Sequence, residues 1–162
     1  MTTGRVLPIF VLFSATVLSP LKACAGWANT KWGMSPKEVI HVYKGKLTKD
    51  ETSQTVVYEG EYRAGDFHFY SRLVFNDDGL IRVVLSASSE FSCDGILDGL
   101  RDKYGDGQNR SISMREPSYS WDDRKNSNRV KFEDRRRNEM AMAAGISPCI
   151  IVYEKLSYDN GL

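Results

Sequence analysis

The sequence predicts an α+β fold, an antiparallel sheet with two short helices packed on one face, and three observations lead to it. A capped helix start stands at Ser35–Glu38. A run from Phe67 to Ala87 alternates in two arms about an Asn76-Asp77-Asp78-Gly79 turn. Between Ser92 and Tyr104 the apolar residues fall at helical spacing. Separate helix and strand signals, with no long βαβ alternation, favour helices laid on an antiparallel sheet.

The first 25 residues read as a cleaved export leader rather than as part of the domain. They contain no acidic residue; Arg5 precedes the apolar run Val6–Leu18, Pro20 closes it, and Ala23-Cys24-Ala25 supplies small residues for a peptidase. The run is shorter than the ~20 apolar residues of a membrane-spanning helix. Cleavage after Ala25 discards Cys24. The lesser alternative takes Leu21-Lys22-Ala23-Cys24 as a lipobox and anchors the protein through a lipid on Cys24, against which stands the charge of Lys22.

Residues 26–162 carry no linker or low-complexity tract and read as one α+β domain. In it Ser35 and Glu38 form a capping box, Pro36 takes the first helical position, Val39, Ile40 and Tyr43 share a face, and Gly45 ends the helix. Val56, Tyr58 and Tyr62 mark the first strand, which turns at Ala64-Gly65-Asp66. In the next strand Phe67, Phe69, Leu73 and Phe75 line one face, and His68, Tyr70, Arg72 and Val74 the other. Gly79 permits the turn, and Ile81, Val83, Leu85 and Ala87 bring the chain back.

The second helix puts Cys93, Ile96, Leu97, Leu100 and Tyr104 on one stripe and stops at Gly105. Three strands follow, at Tyr119–Asp122, Arg129–Glu133 and Cys149–Leu156. Residues 135–147 read equally as helix, from their Arg, Glu, Met and Ala content, or as a long hairpin loop. The order helix, three strands, helix, three strands suggests an α-β-β-β unit used twice, although no residue-level repeat supports it.

Loss of the leader leaves two cysteines. In the oxidising compartment that export implies, Cys93 and Cys149 admit a single intramolecular disulfide. The leader also takes Arg5 and Lys22 from the 22 basic residues, leaving 20 against 21 acidic ones. A balance so near neutral gives no electrostatic reason to bind nucleic acid or an anionic membrane. The expectation is no nucleic acid, no stable membrane insertion after cleavage, and an open oligomeric state.

No arrangement of residues reads as catalytic. His41 and His68 have no Cys, His or carboxylate at metal-ligand spacing. Asn76-Asp77-Asp78-Gly79 and Gly105-Asp106-Gly107 lack the alternating oxygen ligands and final glutamate of a calcium loop. No phosphate-cradling loop or nucleophile elbow occurs. No catalytic residue, metal or cofactor is therefore expected.

Trp32-Gly33-Met34-Ser35-Pro36-Lys37-Glu38-Val39 resembles the opening of small exported bacterial proteins of uncharacterised function, which pair a Trp-Gly-Met-Ser segment with a first helix. It is more distantly similar to the SmpA/OmlA envelope lipoproteins and the β-lactamase-inhibitor-protein-like fold. The resemblance implies a periplasmic binding or assembly role without catalysis.

Arg124, Lys125, Arg129, Lys131, Arg135, Arg136 and Arg137 form a basic run interleaved with Trp121 and Phe132. Asp122, Asp123, Glu133 and Asp134 dilute it, so the plain reading is a self-paired strand edge. As a contact surface it contributes Trp121, Arg124, Lys131, Arg135, Arg136, Arg137 and Met140, and the expected partner is another envelope or secreted protein. A second reading is a small-molecule or glycan binder, or a weak hydrolase, with a groove between sheet and helices near Tyr119 and Trp121.

Overall fold

The computed structural model describes residues 26–111 and 116–157, so the expected leader, with Cys24, lies outside the described residues. Helix α1 (Pro36–Val42) leads into β1 (Thr48–Lys49), β2 (Val56–Ala64), β3 (Phe67–Asn76) and β4 (Gly79–Ala87). Helix α2 (Cys93–Tyr104) leads into β5 (Gln108–Asn109), β6 (Ser118–Asp123) and β7 (Asn128–Asp134), then α3 (Glu139–Ala143) and β8 (Cys149–Lys155). The strands build one antiparallel sheet in the order β1-β2-β3-β4-β8-β7-β6-β5.

That order is symmetric about the β4–β8 pair. Each half is a helix, a two-residue edge strand, and three longer strands that step inward to the centre. The topological unit is therefore α-β-β-β-β, one strand longer than the sequence reading. Strands β1 and β5 escape that reading because two residues carry no period to detect.

The two principal helices cover the same face. Leu73, Val83, Leu85, Val130, Phe132 and Ile151 point into one cluster, joined by Val39 from α1 and by Cys93, Ile96 and Leu100 from α2. Burying each of the larger side chains contributes ~1.5–3 kcal/mol. Cys93 and Cys149 form the expected disulfide, with Cα atoms 5.9 Å apart and 56 residues of separation. It fixes the start of α2 to the start of β8, and it belongs to an oxidising compartment.

The Trp-Gly-Met-Ser segment is explained by folding. Trp32 Nε1 donates to Asn128 Oδ1 at 2.9 Å. The Gly33 N–H donates to the Leu80 carbonyl at 3.0 Å, and the Leu80 N–H returns a bond to the Met34 carbonyl at 2.8 Å. Ser35 and Glu38 complete the capping box. Gly79, at φ 95°, lies so close to the Gly33 and Met34 carbonyls that a side chain there would overlap them. The segment thus clasps the start of β4, and the Trp32 bond ties it to Asn128 of β7, which in turn donates from Nδ2 to the Gly26 carbonyl at 2.9 Å.

Residues 135–147 resolve into a turn followed by α3. Asn138 caps α3 by accepting from the Ala141 N–H at 3.1 Å, and Gly145, at φ 69°, follows its end. Asn-Glu before an Ala- and Met-rich turn is the signal that marks this helix.

Candidate interaction surface

The uncovered face of the sheet is a lattice of paired charges. Glu154 of β8 accepts from Lys131 of β7 at 2.8 Å and from Arg82 of β4 at 2.9 Å. Burial raises the Glu154 carboxyl, but these cations outweigh it and hold it below the ordinary range. Arg129 pairs with Asp122, and Arg72 with Glu59 and Asp50. Val152 and Ile150 lie on this face at 8 % exposure each, flanked by the aliphatic stems of such residues. A shallow depression of about 420 Å³ near Arg110, Ser120 and Lys131 interrupts it.

The seven residues expected to form one surface do not meet. Trp121 belongs to the core, at 5 % exposure: its indole faces the helices, donates from Nε1 to the Gly105 carbonyl at 2.7 Å, and packs on Gly107. The alternation Tyr119/Trp121 against Ser118/Ser120/Asp122 places it on the covered side. Arg124 sits in the β6–β7 turn, at the far end of β7 from Arg135, and that strand alone spans ~20 Å. Lys131 lies midway, bound to Glu154. Strand β7 is also interior, between β6 and β8, so its charges are not protecting a sheet edge.

Arg135, Arg136, Arg137 and Met140 do share one corner, where β7 passes to α3. Arg135 pairs with Glu133 at 2.7 Å. Arg136, in the turn after β7, spans two carboxylates, Asp134 at the end of that strand at 2.7 Å and Asp94 of α2 at 2.6 Å. The Arg136 hydrogen bonds hold the Asp94 carboxyl below its usual value. For Asp134 burial acts upward, and the same guanidinium overcomes it. Arg136 is therefore a structural tie, while Arg137 stands exposed in the turn.

The same tie brings in a residue that sequence reasoning missed. Phe91, three residues before Asp94, is 89 % exposed, and Met140, four residues after Arg136, is 82 % exposed. Phe91 lies in a short helical turn, Glu90–Ser92, ahead of α2. Its position in an otherwise polar Ser88–Ser92 stretch was the available signal. A phenylalanine and a methionine so fully presented are unusual surface chemistry for a small domain, and the Asp94–Arg136 bridge links the segments that carry them.

Tyr119, expected in a groove, is half-buried beneath the Arg101 guanidinium, 5.1 Å from its ring centroid. Among the described residues no three His, Cys, Asp or Glu side chains gather as metal ligands, and no helix is long and apolar enough to cross a membrane. No protein-family model, curated protein or solved structure matches the chain.

Proposed function

We propose that this is an exported, non-catalytic binding protein of the cell envelope, which engages another envelope or secreted protein through the Phe91–Met140 corner. The observation that carries the reading is the exposure of those two apolar side chains on either side of the Arg136 tie. Phenylalanine, methionine and arginine are enriched in protein interfaces, where aromatic anchors fill pockets on the partner. The Arg136 bridges and the neighbouring disulfide hold the corner in place, so little order is lost on binding. The partner this chemistry fits offers an apolar pocket rimmed by carboxylates that face Arg135 and Arg137. The leader at 1–25, the oxidised cysteine pair and the resemblance of Trp32–Val39 to exported proteins support the location.

The test is a cross-linked pull-down from native envelope extract, using the full chain expressed with its own leader, beside a Phe91→Ser/Met140→Ser variant. A partner recovered in stoichiometric amount by the parent and lost by the variant, at equal melting temperature, is the expected result. Equal recovery by both proteins removes this corner from the interface.

A further inference from the structure

A second site lies at the other end of α2. Lys103 and Tyr104 close that helix, nine residues and ~14 Å beyond Asp94. With Tyr62 of β2, Asp123 at the end of β6, Asn126 in the β6–β7 turn and Tyr153 of β8 they line a cavity of about 280 Å³ on the helix-bearing side of the sheet. Both halves of the fold contribute to it. Trp27 forms a wall, its ring centroid 4.6 Å from that of Tyr62 and 6.3 Å from that of Tyr153.

The lining is unusual for a hollow beside a core. Sites for drug-like ligands are mostly apolar and run from ~300 Å³ upward. This one holds three phenol hydroxyls, two carboxamides, a carboxylate and an ammonium against aromatic ring faces. Asp123 is the single carboxylate side chain of the lining and Lys103 the single cationic side chain. Both Asp123 oxygens accept from Asn126, at 3.2 and 2.7 Å, which fixes the carboxylate as an oriented acceptor with lone pairs to spare. Lys103 makes no ion pair with another described residue; its Nζ lies 4.8 Å from the Tyr104 ring centroid. Burial, with Asp123 nearby, raises the Tyr104 hydroxyl to about 12, so it stays a neutral donor across the physiological range.

We infer that this cavity binds one acidic sugar unit, a hexuronate, with its carboxylate on Lys103 and its hydroxyls shared among Asp123, Asn126 and the three tyrosines. A hollow of about 280 Å³ has room for one six-membered ring. Alternating donors and acceptors around a ring of hydroxyls, with aromatic carbon beside them, suit a pyranose better than an apolar ligand. The unpaired ammonium selects the acid over the neutral sugar. The site is independent of the protein-binding corner and needs no partner protein.

The experiment titrates the purified, oxidised protein with D-glucuronate, D-glucose and acetate, read by calorimetry and by Trp27-dependent fluorescence. Saturable binding of glucuronate is expected, with glucose and acetate each weaker by about tenfold or more, the loss that follows from one charge-assisted hydrogen bond. Lys103→Met, at an exposed position that leaves the fold intact, abolishes the preference for the acid, and Tyr104→Phe weakens both sugars. Absence of saturable glucuronate binding overturns the inference and leaves a water-filled hollow. Acetate binding as well as glucuronate, or a Lys103→Met protein that binds like the parent, overturns it too.

Discussion

Arg136 reaches from the end of β7 to Asp94 at the start of α2, and its guanidinium holds both carboxylate oxygens, at 2.6 and 3.0 Å. The same group keeps Asp134 in place, so one side chain joins the last strands to the helix that covers them. Removing it leaves Asp134, 14 % exposed, without a cation. Arg136→Ala is expected to lower unfolding free energy by about 1 kcal/mol, most of it from Asp134 and little from the exposed Asp94 bond. Urea unfolding of Arg136→Ala beside Asp94→Asn checks this; equal midpoints for Arg136→Ala and the parent would show that the bridge is ornamental to stability.

This tie also sets a pH dependence. Asp94 and Asp134 both have folded-state pKa values depressed by Arg136. Their contribution is fully present above the unfolded carboxylate value of ~3.9 and is lost as pH falls through the lower folded value. The midpoint should therefore be level from neutral pH to about 5 and decline below about 4. In Arg136→Ala the acid decline should be shallower, because the depression has gone. A parallel decline in the two proteins would assign it to other carboxylates.

Much of this architecture was legible because its signals are local. The Ser35–Glu38 box, the Asn76–Gly79 turn and the Cys93–Leu100 stripe each act within a few residues, and all three appear where the sequence placed them. The disulfide was legible by counting. Strands β1 and β5 were hidden by shortness. Trp121 was misplaced because a basic neighbourhood outweighed a visible two-residue alternation. The segments that carry Phe91 and Met140 are joined by the Arg136–Asp94 bridge, which spans 42 residues. The cavity draws on segments from Trp27 to Tyr153, and no window of sequence contains it.

The disulfide should carry a large share of stability. Closing a loop of 56 residues restricts the unfolded chain enough to be worth about 4 kcal/mol in the entropy treatment. Cys93 and Cys149 are 0 % and 1 % exposed, so their replacement by alanine removes two buried sulfur atoms as well as freeing that loop. Cys93→Ala/Cys149→Ala is expected to lose about 2–4 kcal/mol by denaturant unfolding. The intact protein should resist mild reductant until unfolded, as thiol titration with and without urea would show. Rapid release of two thiols from the folded protein would contradict the buried placement.

Trp121 and Phe91 should respond oppositely to truncation. Trp121→Ala empties a core site and removes the bond to the Gly105 carbonyl, for an expected cost of about 3–5 kcal/mol. Phe91→Ala removes an exposed ring and should change stability by less than about 0.5 kcal/mol. Thermal and urea unfolding of the two variants measures both. A marked loss for Phe91→Ala would mean that its ring supports the fold, which would weaken its assignment to the interface.

Tyr43 offers a test in the stabilising direction. Its hydroxyl is the only buried side-chain N or O atom among the described residues that finds no hydrogen-bond partner. The ring stacks on Trp27 with centroids 6.3 Å apart, so the side chain is held by its aromatic carbons. Burial pushes the phenol pKa well above its ordinary value, which keeps the group neutral but does not supply the missing partner. Tyr43→Phe removes an unsatisfied group and keeps the stacking surface, and should stabilise the fold by up to about 1 kcal/mol. Its effect should be the same at pH 6 and pH 9, since the phenol does not ionise between them. A destabilisation of similar size would reveal a partner for that hydroxyl, such as an ordered water.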